Sequence, residues 1–403
     1  MKKVLILNAA CNIGSTGRIA NEIGVTAQNN GYEVLFAHSS RYGRKTTLPN
    51  YKVGNNFEEY LHAFIYHRAL GLDSLGSIIP TKNLIKKIKE YNPDIVHLHN
   101  IHGYYINFKL LFEYLNSTKI KIIWTLHDCW SFTGGCTFLN YFKCDKWKCG
   151  CGDCPLHKDF PKHSIFDHTD SSFNLKKVLF ANKNITLIPV SNWLKGLMDY
   201  SLLKDLNVLT IHNGVDLNVF NINNSTFKIK YNIQENNIVL GVASPWSKRK
   251  GLDDFIKLRD KLNHIYVIVL VGLSRNQIAM LPEGIIGIER TSNQRELAEI
   301  YSASSVYVNP TYSDNFPTTN IEALACGTPV ISYQTGGSCE AFDHDTGIAI
   351  HTGDIVLLKS TIEFMCNQDR EQLRKRCRTR AENLFNKEDR YQEYIELYNK
   401  NIL

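Results

Sequence analysis

The stretch SDNFPTTNIEALACGTPV, residues 313–330, holds two acids, Asp314 and Glu322, eight residues apart around a turn of Phe316, Pro317, Thr318 and Thr319. The segment before it, SSVYVNP, reads as a strand that ends at Pro310. The segment after it, TTNIEALACG, reads as a helix of small residues that stops at Gly327, with Thr318 or Thr319 as its cap. A helix start carries unpaired N–H groups and about half a positive charge, so the amides near Thr318, Thr319 and Asn320 suit a phosphate. Glu322 lies one turn inside. Its carboxylate suits paired hydroxyls such as a ribose diol, because it accepts two hydrogen bonds. Asp314 takes other hydroxyls. A carboxylate pair also serves glycoside hydrolysis, and a capped helix with a favourable acid in its first turn is the purely structural alternative.

Other loops carry compatible chemistry. In ASPWSKRKGLDDF, Lys248, Arg249 and Lys250 follow a strand and Gly251 permits close backbone approach, which suits a polyphosphate; a solvated basic turn is the plain reading. YQTGGSCEAF adds Gly336, Gly337 and Glu340 after another strand. IGSTGRI sets Gly14, Ser15, Thr16, Gly17 and Arg18 at a strand–helix turn, a second phosphate-friendly loop that does not spell the dinucleotide fingerprint. HLHNIHG supplies His97, His99 and His102, and TLHDCW supplies His127 and Asp128. Strand alternation puts His97 and His99 on one face and leaves His102 in a loop, which argues against a metal. His127, at a strand end, suits a sugar hydroxyl or acid–base work.

Six of the 11 cysteines fall between Cys129 and Cys154. Cys151 and Cys154 form CxxC, and Cys136 and Cys144 complete a four-thiolate zinc set, with Cys149 as the alternative ligand. Reduced thiols and a redox disulfide are the other readings. A long loop without its own core would gain order from zinc.

These residues need a scaffold. The chain has 403 residues, enough for two or three domains, and 43% hydrophobic with 21% charged residues is globular composition, not disorder. Strand-like runs (KKVLILNA, YEVLFAHS, PDIVHLHN, KIIWTLHD, NITLIPVS, NVLTIHNG, NIVLGVAS, IYVIVLVG, SSVYVNP, TPVISYQ) alternate with helical ones. That order predicts βαβ units and parallel sheets, with ligand loops at the carboxyl ends of the strands. The Asn-rich break near TIHNGVDLNVFNINN divides the chain into an N-terminal domain over 1–213 and a second over 214–385, with a final helix over 386–403 packing back on the first.

The opening MKKVLILNAACNIG is expected to be a strand entering a turn, not an export signal, and IYVIVLVGL is too short to cross a bilayer. A cytoplasmic setting is expected, with reduced thiols. The net charge of +7 favours anionic partners. The helix TKNLIKKIKEY sets Lys86, Lys87 and Lys89 beside Leu84, Ile85 and Ile88, a pattern that fits either an anionic membrane at the inner face of the cell membrane or a plain surface helix. The cations are spread out and no nucleic-acid motif is present, so no nucleic-acid partner is expected.

Taken together, these motifs resemble the retaining GT-B glycosyltransferases of family 4 along nearly the whole chain. DNFPTTNIEALACGTPVISYQTGGSCE looks like that family's acid pair, small-residue helix and Gly-Gly segment; IHNGVDLNVF looks like its linker, RKGLDDF is similar to its phosphate-binding Lys-Gly motif, and TLHD to its His strand. GSTGRI, ASPWSKRKGL and HDCWSFTGGC look more narrowly like colanic-acid, capsule and exopolysaccharide enzymes of bacteria. The resemblance implies two Rossmann-like domains facing across a cleft, with the last helix crossing back. It implies a UDP- or GDP-sugar donor held by the C-terminal domain and a glycan or lipid-linked acceptor held by the N-terminal one. It further implies Glu322 on the ribose, Asp314 and His127 on the donor sugar, and Lys250 on the diphosphate, with no metal required for catalysis. Two departures stand out: the first acid is Asp rather than Glu, and the family's phosphate Arg position is Ser244, which leaves Arg249 or Lys248 as substitutes. A sugar-nucleotide epimerase on the same fold and a zinc-bearing nucleic-acid binder are the competing classes.

Overall fold

The computed structural model describes residues 1–142, 144–155 and 164–402. The chain forms two units: Met1–His212 with Arg390–Leu403, and Asn213–Asp389.

The first unit holds β1 (Lys3–Asn8), β2 (Glu33–Ser39), β3 (Asn50–Val53), β4 (Ile95–Leu98), β5 (Lys121–Leu126), β6 (Ile185–Pro189) and β7 (Asn207–Val208). They make one parallel sheet in the order β3-β2-β1-β4-β5-β6-β7. Central strands in such a sheet are covered on both faces. Val4, Leu5, Ile6 and Leu7 of β1 are accordingly all buried, and each fully buried aliphatic side chain contributes roughly 1.5–3 kcal/mol. Helix α1 (Gly14–Asn29) leaves the end of β1 without a side-chain cap. Helix α2 (Asn56–Leu61) opens on an Asn55–Glu58 capping box and continues as a π-helical turn over His62–Ala69. Helix α3 is Ile78–Tyr91. The last helix, Lys387–Ile402, returns to this sheet: Tyr391, Tyr394, Ile395 and Tyr398 lie in one core with Val4, Ile6, Phe36 and Ile95.

The second unit holds β8 (Asn237–Val242), β9 (Tyr266–Val271), β10 (Ile285–Ile288), β11 (Val306–Asn309), β12 (Val330–Tyr333) and β13 (Gly347–Ile350), all parallel, in the order β10-β9-β8-β11-β12-β13. Its chain order reverses between β8 and β11, the topological switch point beside which open α/β sheets bind ligands at the carboxyl ends of their strands.

The structure corrects the reading of α3. Leu84 and Ile88 are fully buried, so these residues of its apolar stripe belong to the core, while Lys86 and Lys89 are exposed together with Ile78 and Ile79 of its first turn. Among the described residues, no helix is long and apolar enough to cross a membrane.

Candidate functional site

Three loops of the second unit converge on Asp314. The first is the basic turn after β8, residues Lys248–Lys250. Gly251 ends it with φ +77°, and a Cβ there would stand 2.3 Å from the Pro310 carbonyl oxygen, so the loop after β8 lies directly on the end of β11. The Tyr312 N–H donates to the Arg249 carbonyl at 2.8 Å, and the Arg249 guanidinium donates to the Ser313 carbonyl at 2.6 Å. Lys250 Nζ donates to Asp314 Oδ2 at 2.5 Å. The third loop, after β12, brings Gly336 (φ +56°) so close that a Cβ would fall 1.7 Å from the Asp314 carbonyl oxygen. Only glycine tolerates both that torsion and that approach.

Burial pushes the Asp314 carboxyl up, but Lys250 first and then Arg249 and the Asn315 amide outweigh it and hold it below the ordinary value. The acid is therefore a fixed anion beside a fixed cation. Lys248 and Ser244 are both exposed. Of the two substitutes considered for the missing arginine, Arg249 is the one held in the converging loops.

Helix Thr318–Ala325 follows, and here the expected cap is corrected. Pro317 (ψ 120°) is the capping position, with no side-chain cap, so Thr318 and Thr319 are already the first helical residues. Proline's preset φ starts the helix without a hydroxyl acceptor. The Asn320 amide donates to the Pro317 carbonyl at 3.2 Å. Its side chain is buried, accepting from Asn309 Nδ2 and donating to the Ser338 carbonyl, both at 2.8 Å. Asn320 thus ties its helix to the end of β11 and to the segment after β12, and the amides of Thr318 and Thr319 stand at the helix mouth. Phe316 is buried with its ring 5.8 Å from that of Phe385, which makes it a wedge under the loop. Glu322 is also buried, and Oε2 accepts from the Tyr301 hydroxyl at 3.3 Å.

Sequence reasoning missed Asp254. It is buried in the first turn of the helix after Gly251 and accepts from the hydroxyls of Tyr312 and Tyr333, each at 2.8 Å. It ties the ends of β11 and β12 to the basic turn. The available signal was the second acid of the LDDF run.

The first unit gathers its histidines at the ends of β4 and β5. His97 is buried between the Tyr398 hydroxyl (2.6 Å) and Thr125 Oγ1 (2.8 Å), and burial pushes it down to about 3. It is a neutral structural residue. His99 Nδ1 lies 3.0 Å from His127 Nε2, with the rings stacked at 5.3 Å and 16°. Burial lowers His127 to about 4, against the pull of Asp128. His127 is therefore neutral near pH 7: it can donate or accept a hydrogen bond but is no standing cation. His102, expected only as a loop residue, pairs with Asp128 at 2.7 Å. Burial pulls His102 down, yet Asp128 outweighs it and raises the imidazole above its ordinary value. Burial likewise pushes Asp128 up, but His102 and the Trp130 N–H hold it down. His99, His102, His127 and Asp128 line one pocket with Asn100 and Ser131. Gly14, Ser15, Thr16, Gly17 and Arg18 form the first turn of α1, with Gly14 and Ser15 exposed and Arg18 Nε donating to the Gly14 carbonyl at 3.2 Å.

Cys136, Cys144, Cys151 and Cys154 line a second pocket with Trp147 and Lys146. The Gly134 N–H donates to Cys151 Sγ at 3.1 Å, and Lys146 Nζ donates to the carbonyls of Gly152 (2.8 Å) and Asp153 (2.9 Å) across the CxxC turn. Cys149 is exposed and Cys129 is buried in the core. Among the described residues, no three Cys, His, Asp or Glu side chains are gathered as closely as a metal ion needs.

Residues 223–384 match the model of the family Glycosyl transferases group 1. Over 78 residues the chain is 36% identical to the putative colanic acid biosynthesis glycosyl transferase WcaC of Escherichia coli (strain K12), which covers 18% of this chain and 19% of that protein. Over 231 residues it is 24% identical to the capsular polysaccharide biosynthesis glycosyltransferase CapM of Staphylococcus aureus, 53% of this chain and 61% of that one. The chain thus spans 19% and 61% of the length of these two relatives. Among solved structures, sucrose-phosphate synthase from Thermosynechococcus elongatus matches with TM-score 0.75 and 17% identity over 99% of both chains. Anabaena Alr3699/HepE in complex with UDP-glucose matches with TM-score 0.69 and 15% identity over 99% of this chain and 100% of that one. At such identities the likeness shows the fold, and that fold is GT-B.

Proposed function

We propose that this chain is a retaining glycosyltransferase that moves a sugar from a UDP- or GDP-sugar to a glycan or lipid-linked glycan in surface polysaccharide biosynthesis. The observation that carries the reading is the convergence on Asp314: a fixed Lys250–Asp314 pair beside an uncapped helix start, inside the segment that matches the group 1 glycosyl transferases. Lys250, Arg249 and the amides of Thr318 and Thr319 receive the diphosphate and stabilise the charge that develops as it leaves. Glu322 takes the ribose and Asp314 the sugar hydroxyls. His127, neutral, orients a hydroxyl of the donor sugar. The bond from the anomeric carbon to the phosphate oxygen breaks. The acceptor oxygen bonds to the same face, and its proton passes to the departing phosphate. The UDP-glucose held by the Anabaena protein supports a nucleotide-sugar donor, and the names of the two bacterial relatives support a polysaccharide acceptor.

The test is calorimetric titration of UDP and of GDP into the wild type and Glu322→Gln, which keeps the side-chain volume beside Tyr301. One nucleotide should bind, and the variant should lose at least about tenfold in affinity, the value of one charge-assisted hydrogen bond. A folded wild type that binds neither nucleotide overturns the reading.

The four thiols that line the second pocket we propose as a structural zinc set. Zinc would supply a cross-link that draws Cys136, Cys144, Cys151 and Cys154 together and orders their loop. Metal content of the purified protein, with zinc release read by a chromophoric chelator, tests it. Metal-free protein whose unfolding temperature ignores added zinc overturns it.

A further inference from the structure

Helix Thr169–Leu179 turns one stripe inward: Thr169, Ser172, Phe173, Lys176 and Leu179 are its buried residues. That spacing is the core-facing side of a surface helix. Within it stands a lysine with 0% exposure, while the next residue, Lys177, is exposed. Lysine is almost never buried to that degree without partners, because removing an ammonium from water is costly.

Two of its partners are carbonyls of one turn. Lys176 Nζ donates to the Trp130 carbonyl at 2.7 Å and to the Thr133 carbonyl at 2.9 Å, and it lies 3.5 Å from the centre of the Trp130 ring. Trp130 opens the 3₁₀ turn Trp130–Phe132 and Thr133 follows it, so one ammonium closes both ends. Trp130 is held from two further sides: its amide donates to Asp128 Oδ1 at 2.9 Å and its indole N–H to Asp73 Oδ2 at 2.7 Å. Beyond Thr133 the chain lies directly on the helix that carries Lys176, since a Cβ on Gly134 would stand 2.6 Å from the Thr169 carbonyl oxygen. An apolar side chain at 176 would also fill the stripe, but it would take this donor away from both carbonyls.

Between the clamped ends sits Ser131, 2% exposed. Among the described residues its Oγ has no hydrogen-bond partner, and neither has Nε2 of His99, which is 1% exposed. Both residues line the pocket that also holds His102, His127 and Asp128. Buried polar atoms are nearly always paired, so two bare ones in one pocket mark a place for a ligand group. A hydroxyl fits them. His99 Nε2 donates or accepts according to which nitrogen of the His99–His127 contact carries the proton, and a hydroxyl answers either state. An anion answers only one of them, and the pocket already holds the Asp128 carboxylate.

We propose that Lys176 is a positioning residue: its clamp on the turn sets Ser131 in the pocket wall, where Ser131 and His99 together bind one hydroxyl of the donor's sugar and select for it. Lys176 itself touches no substrate. The inference rests on the transferase reading and gives the sugar pocket a second neutral contact besides His127.

The clamp and its purpose are tested separately. Lys176→Met keeps an unbranched chain and removes the donors. The turn then loosens, and Asp128, which holds the Trp130 amide, drifts from His102. Ring NMR signals of His102 followed against pH should show its midpoint falling back toward the ordinary imidazole value. Burial and Lys176 lower His102 while Asp128 and Asp73 raise it, so a lysine that acted only as a neighbouring charge predicts the opposite shift. A midpoint that rises or stays overturns the clamp. Ser131→Ala leaves the clamp intact and removes an unpaired buried hydroxyl, so its denaturant midpoint should equal or exceed that of the wild type. A lower one reveals a structural partner and overturns the ligand role. Calorimetry with UDP and UDP-glucose, or with GDP and GDP-mannose where the protein binds GDP, reads the sugar's share. In both variants the nucleotide sugar should lose about fivefold in affinity, the value of one hydrogen bond, with the bare nucleotide unchanged. A nucleotide sugar that binds Ser131→Ala as it binds the wild type overturns the proposal. A wild type that binds neither nucleotide defeats the transferase reading instead, and the His102 midpoint still decides the clamp.

Discussion

The two polar sites are made by opposite means. The loops around Asp314 hold charge in place: a cation and an anion 2.5 Å apart, stitched by backbone bonds and two glycines that admit no side chain. The pocket at the ends of β4 and β5 holds mostly neutral rings, stacked and pushed below their ordinary pKa by burial, with charge confined to the His102–Asp128 pair. Fixed charge suits a diphosphate, whose charge is always present. Neutral imidazoles suit hydroxyls, which need hydrogen bonds without a competing ion.

The contrast can be broken most directly at Gly336. Gly336→Ala puts a methyl group into the Asp314 carbonyl at a positive φ, so the loop must move. A loss of about 2–4 kcal/mol in stability is expected, with nucleotide binding lost as well. Denaturant unfolding and calorimetry read the two effects. A variant that keeps wild-type nucleotide affinity would show that the convergence is scaffolding only.

Lys250→Ala sharpens the same side. Nucleotide affinity should fall about 10- to 100-fold, the value of a charge-assisted phosphate contact. Stability should change by no more than about 1 kcal/mol, because the pair is partly solvated at roughly a fifth exposure on each side. Unchanged affinity would transfer the phosphate role to Arg249.

The smallest effect belongs to the histidine pocket and appears only as a pH dependence. His102 is raised, so its share of stability is full below its unfolded pKa of about 6.5 and fades as pH climbs through the raised folded value. Asp128 is lowered, so its share is full above its unfolded value of about 3.9 and fades as pH falls through the folded one. The stability gap between wild type and His102→Asn should therefore be widest in mild acid and close in both directions. A gap that is flat from acid to alkali would mean that the pair contributes packing and no charge.

How much of this was legible follows the same division. The Asp314 site was readable because its parts are contiguous motifs, each a loop after a hydrophobic strand: RKG, SDNFP and TGG. The His102–Asp128 pair was not, since the partners are 26 residues apart and meet only when β4 and β5 lie side by side. Strands show the same pattern. The interior ones announced themselves as unbroken apolar runs. Those left unread, Asn50–Val53, Ile285–Ile288 and Gly347–Ile350, all lie at sheet edges. Edge strands are short and half-covered and lack that signature. At the remaining edge, the expected strand NVLTIHNG shrinks to Asn207–Val208.

The sequence by itself determined the alternation of strand and helix and the parallel sheets, because these depend on local periodicity and on glycine and proline in fixed places. Tertiary structure alone decided which faces of the helices are buried. Lys-rich α3 has the amphipathic pattern suited to a membrane, yet its Leu84 and Ile88 fill the core. The run from Asn56 carries its aromatics outward because Ser39, Ser40, Gly76 and Ser77 wait on the other side to bond Glu59 and His62. A hydrophobic pattern states that one face differs from the other. Only the partners brought up against the helix determine which of the two is turned to water.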